Sequence, residues 1–456
     1  VSRALRWPLI FSAVAIVSVW LWFTRDGLAS FFSGDDLMNI YLAWQKPMQR
    51  LAWENVIFFS PGYRPLGNLV YRLLFELAGF HPLPFRLACF ALLLLNLYLA
   101  WRAAAAVAGD EAAALTVLFA CYNVGVVLYH DTGIIYDILC FTFYFAALAF
   151  YAAVRTRKKY LSNAQLVLFL IFYIFALDSK EMAVTLPVVL VAYEIFLGEP
   201  AVASLARRWL PSALSALMTV PYVLGKLSHS SPLIDNESYR LRFSLSTYVA
   251  GLTHYFDLLT SVHPGTLTAP ICLIAVFLAA GIALITRDRQ LMFAPVFVLI
   301  TPLPIVFVAL RGAYVMYIPF FGVALYFAVA IVKLRDALVG RRLQFATFAI
   351  CAAAMIAFHY ARPWQPLVNP LIRSTANQLS EIQPRVPNGS KLLFLNDPFD
   401  QDDKWVLLFL CRLYYGLPQL EVDRARLMAT QPDQAALDSY LIFTYRDTRL
   451  IRLKPQ

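Results

Sequence analysis

Long apolar runs separated by short charged connections dominate the chain, and that pattern admits few folds. Runs of spanning length cover Trp7–Thr24, Pro84–Val107, Ala112–Tyr129, Ile138–Val154, Ala164–Leu177 and Ala183–Leu197. Further runs cover Trp209–Leu227, Leu267–Thr286, Leu291–Leu310, Ala313–Val332 and Leu343–Tyr360. Together they make about eleven helices, each near the roughly 20 residues that a bilayer requires, with two on the short side. Of 456 residues, 60% are hydrophobic and only 14% charged, more apolar surface than a water-soluble domain can bury. The expected fold class is an α-helical polytopic membrane protein. Trp7–Phe23 is long enough to span and lacks a small-residue cleavage site, so it reads as an anchor rather than a cleaved leader.

Leu66–Gly79 decides the orientation of everything after it. Leu66, Leu69, Val70, Leu73, Leu74 and Leu77 fall on one helical face, and Asn68, Arg72 and Glu76 line the other. A short helix with a polar stripe suits the membrane surface, so this segment is expected to lie in the interface. With the N-terminus inside, the cytoplasmic connections carry Arg155, Arg157, Lys158 and Lys159, then Arg207 and Arg208, then Arg287 and Arg289. Lys333, Arg335, Arg341 and Arg342 complete a positive-inside pattern that would invert if Leu66–Gly79 spanned. The formal charge of +10 is therefore mainly an orientation signal, and nucleic acid is not an expected partner.

From Ala361 the composition turns polar. Ser390–Asn396 and Ser439–Arg446 read as strands, Asp403–Tyr415 as a helix stopped by Gly416, and Tyr445–Arg449 as a hairpin. The chain thus divides into residues 1–360, a membrane domain with amphipathic outer-loop helices at 37–79, and residues 361–456, a small α/β domain outside. Five of six cysteines (Cys89, Cys121, Cys140, Cys272 and Cys351) lie in apolar runs and only Cys411 in a polar region. Neither a disulfide framework nor a His/Cys metal spacing is expected.

Four polar clusters fall on the outer face. Asp35-Asp36 follows Ser33-Gly34, where one acid would suffice to cap a helix beginning near Leu37. Adjacent carboxylates beside a bilayer repel and lose solvation, which points to chemistry, a cation or a polar partner. Tyr63-Arg64-Pro65-Leu66 opens the surface helix, and Arg64 could instead anchor to lipid headgroups. His130-Asp131 and Tyr136-Asp137 share one loop, where Asp137 could equally be a helix cap and His130 structural. Asp178-Ser179-Lys180-Glu181 could be a turn whose Lys and Glu neutralise one another, yet Lys180 is placed as a point charge for phosphate. Arg311 opens the span containing Tyr314 and suits bidentate phosphate contact. Carboxylates for proton transfer beside cations for an anion suit transfer from a lipid-linked phosphate donor.

These residues resemble a known family. Asp35-Asp36 resembles the Asp-Asp or Asp-Glu motif of the GT-C superfamily of membrane glycosyltransferases. Ser60-Pro61-Gly62-Tyr63-Arg64-Pro65-Leu66 is similar to the Ser-Tyr-Arg-Pro-Leu segment of the transmembrane O-mannosyltransferases that carry tetratricopeptide repeats. Pro84-Phe85-Arg86-Leu87 sits where relatives resume with a span. Ser179-Lys180-Glu181, with Thr185 and Pro187, is similar to the family's Ser-Lys-Glu signature, and Arg311 through Phe321 to its Arg-x-x-Tyr-Leu-Pro-x-x-Gly-Phe stretch. The likeness runs from near the N-terminus to Val332. It implies Asp35 as general base with Asp36 as partner, Lys180 and Arg311 on the donor phosphate with Arg64 beside them, and Tyr63, Glu181, His130 and Tyr314 around the substrate. The family's His-x-x-His-Thr-Glu segment is reduced here to His130-Asp131-Thr132, so the second acidic role stands open between Asp131 and Asp137. The tetratricopeptide array is absent.

The function expected is transfer of a sugar from a polyprenyl-phosphate donor to a glycan, lipid or protein acceptor at the periplasmic side of a bacterial inner membrane. No cofactor is required, although Asp35 and Asp36 could hold a divalent cation. A transporter or flippase of a lipid-linked sugar would want mid-bilayer charges and inverted repeats, and a non-catalytic scaffold would tolerate loss of Asp35.

Overall fold

The computed structural model describes residues 3–60, 62, 64–123, 127–157, 159–198, 205–227, 240–263, 265–340, 343–362, 369–428 and 437–453. Tyr63, Lys158, Arg341 and Arg342 lie outside the described residues. The chain opens with α1 (Arg3–Thr24), followed by three helices of the first loop, α2 (Gly34–Trp44), α3 (Met48–Val56) and α4 (Pro65–Ala78). Then come α5 (Pro82–Ala108), α6 (Asp110–Asn123), a single turn α7 (Val127–His130), α8 (Ile135–Arg155), α9 (Asn163–Ser179), α10 (Leu186–Phe196) and α11 (Leu205–Lys226). α12 (Leu245–Thr260), α13 (Ala269–Thr286), α14 (Arg289–Ile300), the short α15 (Leu303–Val306), α16 (Tyr317–Leu338) and α17 (Gln344–Ala361) complete the helical domain.

A helix coincides with each expected apolar run, and among the described residues six segments are long and apolar enough alone to cross a membrane. The chain is a multi-pass membrane protein. α4, with 14 residues, spans only about 21 Å at the helical rise and is too short to cross. It turns Gly67, Asn68, Tyr71 and Phe75 into the protein and leaves Leu73 and Leu77 exposed, as an interfacial helix should.

α8 is the pivot of the bundle: 78% of its spanning window is buried, against 11% for α13 and 6% for α17 at the periphery. Aromatic stacking fills the space between α8 and α16, with Phe141 on Phe145 at 4.0 Å and on Tyr317 at 4.1 Å. Asn96 of α5 donates to the Ile138 carbonyl (3.0 Å) and accepts from the Thr142 hydroxyl (2.7 Å), a satisfied polar knot inside an apolar interface.

The last ninety residues add α18 (Pro370–Ile382), β1 (Lys391–Asn396), α19 (Val406–Tyr415), β2 (Glu421–Arg424), β3 (Tyr440–Arg446) and β4 (Arg449–Leu453). The sheet order is β2-β1-β3-β4, parallel except for the terminal β3–β4 hairpin. Gly416 ends α19 in the left-handed conformation, φ +66°, where it avoids the Cβ clash. This small domain is fastened to the first loop. Tyr41 stacks on Phe409 (4.8 Å) and its hydroxyl accepts from Arg412 (2.5 Å), while Asn369 donates to the Phe31 carbonyl (3.2 Å) and Arg373 to that of Ala29.

At the basic end of the bundle, Glu194 is 1% exposed and receives Arg155 (2.6 Å), Tyr151 (2.6 Å) and Arg208 (2.9 Å). Removing a buried counter-ion strands the remaining charges at a cost of about 3–5 kcal/mol. Glu194→Ala is therefore expected to lower the thermal midpoint in detergent sharply, whereas Glu76→Ala, on an exposed pair, should leave it within about 1 kcal/mol.

Candidate active site

Ser33 begins α2 and sets the geometry of the acidic cluster. Its hydroxyl accepts from the Asp36 N–H (3.1 Å), and its own N–H donates to Asp36 Oδ2 (2.9 Å), a reciprocal capping box. The same hydroxyl reaches Asp131 Oδ1 at 2.8 Å, which also accepts the Gly133 N–H (2.8 Å). A Cβ at position 133 would sit 3.0 Å from both Asp131 Oδ1 and Asp35 Cβ, so any larger residue would push on both acidic side chains where the two loops meet.

The paired aspartates are thereby divided. Asp36 is fully buried; burial, and after it Asp131, push its carboxyl well above the usual range. Tyr71 donates to the Thr132 carbonyl (2.6 Å) and lies 3.4 Å from Asp36 Oδ1. Asp35 faces outward, and its carboxyl has no hydrogen-bond partner among the described residues. Desolvation and the repulsion of Asp131 raise its pKa, and Arg311 draws it part of the way back. A free carboxylate with a raised pKa is a better base than an ordinary one.

Two ion pairs flank this cluster. Lys180 follows α9 and meets Asp137 of α8 at 2.5 Å, both nearly inaccessible (5% and 6%). Asp137 is therefore a buried counter-ion rather than an open carboxylate. Lys180 also lies 5.3 Å above the Tyr314 ring. Arg64 adopts a left-handed backbone, φ +44°, before Pro65, an uncommon conformation for a residue with a Cβ. It pairs with Glu181 at 3.0 Å and rests 5.2 Å over Tyr136. Burial would raise the Glu181 carboxyl, but Arg64 and Lys180 hold it below its ordinary value.

A cavity of about 1020 Å³ joins these groups. Arg64, Lys180, Glu181 and Arg311 line it, with Lys226 and Arg240, so five cations face one acid. The remaining wall is largely aliphatic, including Val184, Val188, Val223, Leu303 and Ile305. Arg311 lines the cavity and also acts electrostatically on Asp35, which links the cavity to the acidic cluster. His130 is not part of the cavity wall. It is 1% exposed, 3.4 Å from the Ser30 hydroxyl, and burial beside Arg86 depresses its pKa to about 4, so the ring is neutral near pH 7.

Lys226 and Arg240 escape the sequence reading. Lys226 ends α11 and donates to the carbonyls of Ser60 (3.1 Å) and Gly62, tying down the loop that carries Arg64. Its signal was a lysine at the acidic end of a span, against the positive-inside trend. At Gly225 an added Cβ would lie 1.9 Å from the Phe59 carbonyl, so this loop docks directly on the helix backbone.

No protein-family model matches the sequence, and no curated protein matches it. Solved structures do. The chain is similar to ArnT from Cupriavidus metallidurans in the apo state, at 17% identity over 98% of this chain and 94% of that one, TM-score 0.53. It is similar to the same protein bound to undecaprenyl phosphate, at 17% identity, 96% and 93% coverage and TM-score 0.53. An Archaeoglobus fulgidus oligosaccharyltransferase in complex with Zn and sulfate matches at 12% identity over 91% of this chain and 62% of that one, TM-score 0.50. The chain shares its fold with these proteins, in line with the fold that the resemblance to GT-C membrane glycosyltransferases implies.

The zinc in that relative poses the question of a metal here. Among the described residues no three His, Cys, Asp or Glu side chains assemble into a metal site. Asp36 and Asp131 already accept hydrogen bonds from Ser33 and Gly133. A divalent ion is compatible with Asp35, but would draw most of its oxygen ligands from water or substrate. No step below passes through one.

The Asp137–Lys180 pair yields a direct test. Lys180→Ala and Asp137→Asn should each destabilise the protein, the lysine variant by about 3–5 kcal/mol because it leaves a buried carboxylate. The double variant should recover part of that loss in detergent melts, a coupling that two independent side chains would not show.

Proposed function

We propose that the chain is a glycosyltransferase that moves a sugar from a polyprenyl-phosphate donor to an acceptor hydroxyl at the outer membrane face, the periplasmic side of a bacterial inner membrane. The observation that carries this reading is the largely aliphatic cavity lined by Arg64, Lys180, Lys226, Arg240 and Arg311, the last of which also acts electrostatically on Asp35. The undecaprenyl phosphate held by the related ArnT fold supports the same donor class.

The polyprenyl chain would lie along Val184, Val188 and Leu303, with its phosphate against Lys180 and Arg311. The acceptor oxygen bonds to the anomeric carbon as the bond from that carbon to the phosphate oxygen breaks. The electron pair leaves on the lipid phosphate, where the cations stabilise it, and the acceptor proton passes to Asp35. A single displacement of this kind inverts the anomeric centre. Asp36 orders the start of α2, Asp131 tunes Asp35, and Asp137 holds Lys180. Glu181 orients Arg64, and Tyr314 lies beneath Lys180. A glycan, lipid or protein acceptor would approach from the exposed side of Asp35.

Purified protein in lipid, offered polyprenyl-phosphate sugars and a pool of acceptors, should transfer sugar. Asp35→Asn should reduce the rate about 10²–10⁴-fold, the range for loss of a general base, with an unchanged melting profile. Equal rates in both would remove Asp35 from the chemistry, and transport of intact donor without transfer would favour a flippase.

The pH profile separates the base from its neighbour. Asp35 works only when deprotonated, so activity should fall as pH drops through its raised pKa. Asp131→Asn removes a repelling charge, favours the carboxylate of Asp35 and should move that acidic limb to lower pH; Arg311→Gln should move it the other way.

A further inference from the structure

A second cavity, of about 570 Å³, lies at the opposite end of the bundle, among the basic connections. Its wall brings together the ends of α5 (Ala106, Val107), α8 (Arg155), α10 (Leu197), the α13–α14 connection and Lys333 of α16. Four cations line it, Arg155, Arg287, Arg289 and Lys333, against one acid, Asp288. Two of the four are spent internally: Arg155 pairs with Glu194, and Lys333 with Asp288. Asp288 is further occupied in capping α14 through the N–H groups of Gln290 and Leu291, both at 3.0 Å. Arg287 and Arg289 are exposed and have no side-chain partner among the described residues.

Orientation alone explains basic residues at this end but not their arrangement. The positive-inside rule is satisfied by arginines on any flat loop, whereas these come from three separate parts of the chain and converge on one hollow. Arg287 also sits at φ +52°, directly after α13, its N–H closing the helix on the carbonyls of Ala283 and Leu284. Glycine is the usual residue at such a helix end, because a Cβ makes the left-handed conformation costly. An arginine at such a position places its side chain at the helix end, beside the hollow. Finally, α13 presents Ile282 (49% exposed), Leu284 (66%) and Ile285 (85%) to the surroundings, an aliphatic track that ends at Arg287.

We propose that this cavity binds the phosphate headgroup of an anionic phospholipid, with Arg287 and Arg289 on the phosphate and the acyl chains along the outer face of α13. The site is independent of the glycosyl-transfer reading: α10 and α14 contribute to both cavities, but from opposite ends, and no lining residue is shared. Basic hollows between spanning helices on the cytoplasmic side suit such headgroups, and each arginine near an anionic lipid adds to the attraction.

The experiment is native mass spectrometry of the delipidated full chain titrated with phosphatidylglycerol or phosphatidylcholine, with inorganic phosphate as competitor. Wild type should retain phosphatidylglycerol over phosphatidylcholine, and Arg287→Ala with Arg289→Ala should weaken that retention about tenfold or more. Arg287→Gly separates ligand from structure. Glycine relieves the left-handed strain, so this variant should melt no lower than wild type while still losing lipid. Equal retention of the two lipids, or of phosphatidylglycerol by all variants, would overturn the proposal. Displacement of the lipid by inorganic phosphate would also overturn it, in favour of a soluble phosphate ligand.

Discussion

The cost of taking charge out of water organises this molecule more than any other term. Lys180 and Asp137 are both almost inaccessible, and neither would be tolerated alone. Their contact joins α8 to the end of α9, and the adjacent Glu181 reaches Arg64 at the start of α4. Three segments distant in sequence are thus locked by one run of alternating charge. Compensation is also partial by design. Lysine has three donors, and Asp137 engages one end of it; arginine has five, and Glu181 engages one side. Neutralised enough to be buried, these cations still line the cavity.

The first loop depends on a second, softer constraint. Ser33 serves Asp36 and Asp131 at once, and its placement follows from the segment before it, residues 29–31, which α18 holds through Asn369 and Arg373. The small domain, so different in composition from the bundle, therefore braces the start of α2. Val406 lies 3.2 Å from where a Cβ on Gly34 would be, directly under the acidic pair.

Much of this was legible in the sequence, for physical reasons that differ by element. Membrane helices announce themselves because the bilayer demands apolar length and internally satisfied backbone, so runs such as Leu267–Thr286 match α13 almost residue for residue. The amphipathic helix α4 was legible as a helix from its apolar spacing, and the β3–β4 hairpin from Tyr445–Arg449, although its turn uses Asp447 and Thr448 at positive φ instead of glycine. β2 was not legible. Glu421-Val422-Asp423-Arg424 carries three charges in four residues and is a strand only because β1 pairs with it and Arg424 is bound by Asp397 at 2.8 Å. In the site, residue identities could be read but not their division of labour. That Asp35 is open, Asp36 sealed and Asp137 consumed by a lysine depends on contacts spanning dozens of residues, which no local pattern records. Lys226 was hidden in the same way, at the end of an otherwise ordinary span.

The crowd of cations in the larger cavity has a further consequence on the proposed chemistry. A sugar-linked phosphate is a diester with one negative charge; once the sugar leaves, the lipid carries a monoester with about one charge more at neutral pH. Lys180, Arg311 and Lys226 would therefore grip the spent carrier harder than the fresh one. The enzyme's slow event would then be the departure of the emptied lipid into the bilayer, and its pace would follow how quickly the membrane clears that carrier away.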